Sequence, residues 1–383
     1  MKIVIVGAGI GGLTTALSLA HFGIASTVLE AFAEPGEVGA GLQVPPNAMH
    51  VFERLGLAAE IRRAGMTPEA IDLADGRSGK RLLSLPLDNK DNPAHGLVTI
   101  HRAALHRALY EAAQANEGIE IMTGMPVISA LPFDNSVQLV TDQQDEVVSG
   151  DLVVGADGVW SKVRRSISPD ADAQLTGRIA LRTTAVMDTI QPTVTAYLGT
   201  KAHLVSYPLN DNGLRNLVGI IHGNVKEQTW SKTPPAETVA ALADQFRGVG
   251  SKAILDANWS CWPLARVSEA SPWSNGTNIV VVGDAAHAIE PFAAQGAAMA
   301  IEDAFILAKQ IFENSGDVPT AISNYEQVRK PRITKVARRT KFNRRIYHLS
   351  GLPRIARDTA FKVRPHMAFA KDLSWLYDYN PAL

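Results

Sequence analysis

Three stretches of this chain share one pattern of hydrophobic and polar positions. Each is a short unbroken apolar run that stops at glycine and gives way to small residues: "KIVIV" at 2–6, "DLVV" at 151–154 and "IVVV" at 279–282. None alternates polar with apolar, as a strand with one wet face would, so each is predicted as a strand buried on both faces. The first is followed by a helical stretch and then by "STVLE", a second strand ending at Glu30. That is the strand–helix–strand order of a parallel sheet. In "HRAALHRALYEAAQAN" (101–116), Leu105, Ala108, Leu109 and Ala112 recur at helical spacing and predict an amphipathic helix.

Between about residues 175 and 275 the period changes. "GRIALRTTAVMD", "TVTAYLG", "AHLVSYPL" and "RNLVGIIHGN" are short β-rich runs separated by Gly, Asn and Pro turns. They predict an antiparallel sheet with one solvated face and one face closing a pocket. "PPAETVAALADQFRG" reads as a helix and "WSCWPLARV" as a further extended segment.

Composition narrows the class. The 383 residues suffice for one large or two medium domains. A net charge of −1 gives no support to a nucleic-acid partner, which would want a basic surface. The lone cysteine, Cys261, excludes an internal disulfide and a cysteine-based metal cluster. No apolar run approaches the ~18–20 residues of a membrane span, and the first strand begins at Lys2, without room for a signal peptide. A cytoplasmic protein is expected.

The glycines carry the chemistry. Gly7, Gly9 and Gly12 have the G-x-G-x-x-G spacing. The first permits a sharp turn, the second lets backbone approach a pyrophosphate, and the third lets helix and strand pack closely. The helix that follows offers free N–H groups and a partial positive charge. Glu30 is placed to accept hydrogen bonds from a ribose diol, and an acid there argues against a 2′-phosphate. These features predict a dinucleotide site and leave NAD and FAD open. Two more strands end in similar loops: Gly155-Ala-Asp157-Gly158, before a basic helix start, and Gly283-Asp284, before a turn at Pro291 and a helix of small residues from Gly296. A simple NAD dehydrogenase needs only the first loop.

The three motifs, in this order and at these separations, resemble the FAD-dependent aromatic hydroxylases (single-component flavoprotein monooxygenases), most closely their salicylate hydroxylase-like and 6-hydroxynicotinate 3-monooxygenase-like branch. The resemblance extends through "GAGLQVPPNAMHVFERLGL" (39–57), "TIHRAALHRAL" (99–109), "AHLVSYPL" (202–209) and "LSWLYDY" (373–379). It implies an α/β fold: a Rossmann-like FAD-binding domain whose first part spans 1–174, with excursions into the substrate domain around 70–100; an inserted β-rich substrate domain at 175–275; and a return to the FAD domain with a C-terminal helical segment at 276–383. It further implies that Asp284 binds the ribityl chain of FAD, with a helix cap as its plainer reading. Gly296, Ala297 and Ala298 would aim N–H groups at the flavin pyrimidine edge, and Pro291 would hold a rigid turn beside the ring. Arg102 would reach phosphates or ribityl hydroxyls, and Val127 would lend its backbone to the adenine. Asp157 has two readings, a cofactor or pyridine-nucleotide contact and a loop cap. The chain departs from the family at Ala294-Gln295-Gly296, where many relatives have Gly-Gln-Gly, and at Ala298, where many have Asn.

The same resemblance implies NADH or NADPH as co-substrate, bound without a second G-x-G-x-x-G, and O₂, used through a flavin C4a-hydroperoxide to hydroxylate a small phenolic or hydroxy-heteroaromatic acid. Such chemistry wants the substrate as phenolate, so a base titrating near working pH is expected beside the ring. His203 and Tyr207 share one strand face and match a His–Tyr pair that touches substrate in hydroxynicotinate-type relatives. The plainer reading of His203 is a hydrogen-bonded residue on an edge strand. Gln43 stands where those relatives carry His and salicylate-like ones Gln. Arg182 suits a substrate carboxylate and equally a sheet brace. His101 and His287 are read as structural.

Two alternatives stay open: a monooxygenase of a larger antibiotic or quinolone on the same scaffold, and a non-enzymatic flavin-binding sensor. Residues 329–345 carry nine Lys or Arg and no acid. With Pro331 interrupting the run, they are read as a solvated helical face, with a homodimer contact or a membrane surface as further readings.

Overall fold

The computed structural model describes residues 1–34, 40–142, 148–187, 192–223 and 232–383. Gly39, Asp188 and Asn224, at the ends of stretches read above, lie outside them. The apolar runs become neighbours in a five-stranded parallel sheet, ordered Ile279–Val281, Leu152–Gly155, Ile3–Val6, Ser26–Leu29, Ile119–Met122. Val4, Val153 and Val280 have no exposed surface. Helices Ile10–His21 and Gly296–Glu313 pack against each other beside this sheet. The loops after strands 3–6, 152–155 and 279–281 therefore open side by side at the carboxyl ends of adjacent strands, where such sheets bind ligands.

A second sheet has seven strands, ordered Ser260–Arg266, Gln174–Val186, Leu214–His222, His203–Pro208, Thr193–Leu198, Ala70–Asp75, Arg81–Pro86. Its pairs are antiparallel except Thr193–Leu198 with Ala70–Asp75. Among the described residues, the expected solvated face is absent. On one side Leu181, Leu204 and Leu217 are covered by Leu242, Phe246 and Ile254 of the helices that follow the sheet. On the other, Ala180 and Ile220 meet Phe292 of the turn Pro291–Ala293, and Leu85 and Leu198 meet Phe361 and Ala370 near the C-terminus. These strands carry apolar residues at both parities, so both faces need cover.

Helix Val318–Tyr347 runs unbroken through Pro331. Proline removes one backbone hydrogen bond, to the carbonyl four residues back. Pro331 and Gln327 both lie on the solvent side, where water can satisfy that carbonyl, so the expected interruption does not occur. Nor is the basic run solvated throughout: Arg329 and Arg332 point inward and are buried.

Candidate active site

The first loop is built as its glycines require. Gly7 sits at φ +102°, and a Cβ on Gly12 would lie 1.8 Å from the Gly7 carbonyl oxygen. A Cβ on Gly9 would meet nothing within 4 Å, which leaves room for a phosphate against the backbone. Glu30 braces this loop: its carboxylate accepts the N–H of Ala8 at 2.7 Å and that of Phe32 at 3.0 Å. Lone pairs remain on both oxygens for a diol. His106 adds a 2.8 Å contact to the Ala8 carbonyl, a brace that the sequence reading missed.

The second loop packs directly on the first, with Ala156 against Gly7. Here the capping reading describes what Asp157 does. One carboxylate oxygen accepts the Ser161 hydroxyl at 2.5 Å, and the other accepts the N–H groups of Lys162 (2.7 Å) and Val163 (3.1 Å). Burial nevertheless raises its pKa above the usual carboxylate range.

Asp284 differs. It is the first residue of helix Asp284–His287, after Gly283 at the N-cap, and its exposed carboxylate has no partner among the described residues. Gly283 before it has φ +60°, and a Cβ there would press to 2.8 Å on Ala300. Ala294 lies at φ +51°, in the left-handed region, so glycine suits that position in relatives. Gln295, at the N-cap of helix Gly296–Glu313, makes no side-chain cap, and the first residues, Gly296 and Ala297, are partly exposed. Ala298 behind them is buried. Pro291 opens the short turn Pro291–Ala293. Arg102 starts helix Arg102–Gln114 and donates its N–H to Ala40 at 3.3 Å, while His101 caps that helix. Val127 opens the strand Val127–Phe133, outside the parallel sheet.

Behind the third loop lies a buried charge network that the sequence reading also missed. Asp303 accepts from the Gly283 N–H (2.9 Å), His287 (2.5 Å) and Arg329 (2.7 Å). Glu302 pairs with Arg329 (2.5 Å) and Arg332 (2.8 Å) and accepts from Asn47 (2.6 Å), which also bonds Gln295 at 3.1 Å. Burial alone would raise the Asp303 carboxyl, but His287 and Arg329 outweigh it and hold it at about 2. The signal was available: two adjacent acids within the apolar stretch 297–308 demand buried partners, and the basic run supplies them.

The seven-stranded sheet faces these loops with the other predicted residues. His203 pairs in register with Ile220, Val205 with Val218 and Tyr207 with Asn216, while Arg182 pairs with Val218. Paired positions share a face, so His203, Tyr207 and Arg182 project together, on the face that meets Phe292. Strand Gly41–Val44 lies against it: a Cβ on Gly41 would sit 2.8 Å from the Tyr207 ring. Gln43 alternates onto the same side as Gly41. The His203 strand is central, not an edge. Its imidazole packs on Phe292 (5.0 Å between centroids) and Tyr347 (5.4 Å), with Nδ1 3.1 Å from His348 Nε2. Nε2 of His203 has no partner among the described residues. Burial, with His348 adding to it, lowers its pKa to about 3. The expectation of a base titrating near neutrality is thus corrected: buried among aromatic rings, the imidazole stays neutral. Burial pushes the Tyr207 phenol far up, against the pull of Arg182 and Asn216.

The family described as FAD binding domain matches residues 1–340. A 3-hydroxybenzoate 6-hydroxylase of Klebsiella oxytoca is 32% identical over 99% of this chain and 97% of its own. The chain belongs to the FAD-dependent aromatic hydroxylases. The structure of Klebsiella pneumoniae HpxO complexed with FAD and uric acid superposes on this hydroxylase with a TM-score of 0.82 at 20% identity, over 98% of this chain and 97% of the other. A salicylate hydroxylase substrate complex does so with 0.81 at 19%, over 100% and 96%. These likenesses speak for the fold. As a family member the chain is an FAD-dependent monooxygenase acting on aromatic rings with NAD(P)H as co-substrate. Its residues fit FAD: an open cradle at Gly9, an uncapped helix amino terminus at Gly296, and an unpartnered carboxylate at Asp284 between them in the chain. Among the described residues, no helix is long and apolar enough to cross a membrane.

Proposed function

We propose that this hydroxylase acts on a monohydroxylated benzoate, with its phenol on His203 and its carboxylate toward Arg182. The observation that carries the reading is that Nε2 of His203 has no partner among the described residues, on the sheet face that meets the Pro291–Ala293 turn. A neutral ring nitrogen with no protein partner accepts a hydrogen bond, and a phenol hydroxyl donates one. Bound FAD supplies the reduced ring that activates O₂ toward an electron-rich arene. The chain's own residues do the rest. Asp284 and the Gly296–Ala298 amino terminus hold the cofactor, Phe292 and Tyr207 exclude water from the ring, and His203 orients the phenol. Relatives named as 3-hydroxybenzoate 6-hydroxylases support the substrate class. We place the enzyme in the cytoplasm, where the buried Cys261 thiol stays reduced.

The test is oxidation of NADH and NADPH by the holoenzyme, with catalase present, against 2-, 3- and 4-hydroxybenzoate, 6-hydroxynicotinate and larger phenols, with products identified by mass. Stimulation with one added oxygen in a hydroxybenzoate is expected. His203→Ala should keep its FAD and lose on the order of 100-fold in hydroxylation. Stimulation only by larger phenols would overturn the substrate assignment, and an unchanged rate in the variant would remove His203 from it.

A further inference from the structure

A buried imidazole that resists protonation is a poor resting place for a phenol's proton, yet His203 is the group the pocket offers. The structure supplies a way out. His348, the residue after the long helix Val318–Tyr347, places Nε2 3.1 Å from Nδ1 of His203, so one ring donates to the other. His348 is partly exposed, and its own Nδ1 has no partner among the described residues. The charged and titratable groups around it are His222 and Arg178 from the sheet, and Arg344 and Tyr347 from the helix. Arg178 and Arg344 both pair with Glu290. Arg344 and Glu290 also line a surface cavity of about 210 Å³. Together with burial, the cations lower the His348 pKa to about 4, so both rings rest neutral.

Resting on the hydroxylase reading above, we infer that His203 and His348 form a two-imidazole relay that carries the substrate's phenolic proton from the buried pocket to solvent. The phenol O–H bond breaks as His203 Nε2–H forms, His203 Nδ1–H breaks as His348 Nε2–H forms, and His348 Nδ1–H passes to water. One proton leaves, the substrate becomes phenolate, and neither ring ends charged. Proton return along the same path after ring hydroxylation restores both tautomers. His348 touches no substrate and is a positioning and relay residue.

The experiment mixes holoenzyme with 3-hydroxybenzoate in weak buffer and follows proton release with an indicator dye, beside the pH profile of hydroxylation. It compares wild type, His348→Gln and His348→Asn. Both variants are expected to keep FAD, KM and the rate of flavin reduction. They should slow proton release and hydroxylation by on the order of 10- to 100-fold, shift the pH profile, and recover with added imidazole. Wild-type rates and profile in a folded, FAD-bearing variant would overturn the relay while leaving the hydroxylase reading intact. Hydroxylation that falls without imidazole recovery or a changed profile would make His348 merely structural and also overturn it. Wild type that hydroxylates no member of the phenolic panel would bring down the substrate reading and the relay with it.

Discussion

Asp284 and Asp157 show how much the same residue type changes meaning with its partners. Both follow a glycine loop at a strand end, and both were candidates for cofactor contact or a cap. Asp157 spends both oxygens on Ser161, Lys162 and Val163. Asp284, exposed, spends none on any of the described residues. Asp284→Ala should therefore leave the apoprotein as stable as before. It should weaken FAD by about 1.5–3 kcal/mol, roughly ten- to hundredfold, the worth of a charged hydrogen bond. Flavin absorbance after dialysis, with urea denaturation of the stripped protein, checks both halves. Full flavin occupancy would remove the assignment, and a destabilised apoprotein would point to a structural role.

At the scale of elements, helices Gly296–Glu313 and Val318–Tyr347 share one apolar core and are also joined by Glu302 and Asp303 against Arg329 and Arg332. Asp303 also holds the Gly283 N–H, so this pairing sets the loop that presents Asp284. Removing one member of a buried ion pair strands the others without solvent, at a cost of about 3–5 kcal/mol. Arg329→Met should show that loss in denaturant unfolding and should also lower FAD content. Arg338→Met, on the exposed side of the same helix, should change stability by less than about 0.5 kcal/mol. Equal behaviour of the two variants would mean that the network is energetically idle.

For the whole molecule, His203, His348 and Asp303 act in one direction with pH, and the raised Asp157 carboxyl opposes them. His203 and His348 have native pKa values of about 3 and 4, below the ordinary 6.5. As pH falls through 6.5, the unfolded chain takes up protons that the native state refuses, so stability drops. Asp303, held at about 2 against an ordinary 3.8, continues the loss as pH falls from about 4 toward 2. The urea midpoint should decline steadily from pH 7 to 4. A His203→Phe, His348→Phe double variant should flatten that portion while keeping the loss below pH 4. A wild-type midpoint constant over pH 7 to 4 would contradict the neutral-pair assignment.

What was legible in the sequence was whatever depends on neighbours along the chain. Unbroken apolar runs ending at Gly7, Gly155 and Gly283 announced strands buried on both faces, and the 7–9–12 glycine spacing announced the phosphate cradle, because turn geometry and strand burial are local properties. Alternation along one strand put His203 and Tyr207 on one face. What faces them is set by contacts between distant segments. Only the tertiary structure brought Phe292 and His348 onto His203, turned both sheet faces inward, committed Asp157 to a cap, and drew Arg329 and Arg332 out of an apparently solvated basic run to meet two buried acids. Composition cannot distinguish a solvated arginine from a buried paired one, since the difference lies in which carboxylate the fold sets within about 3 Å.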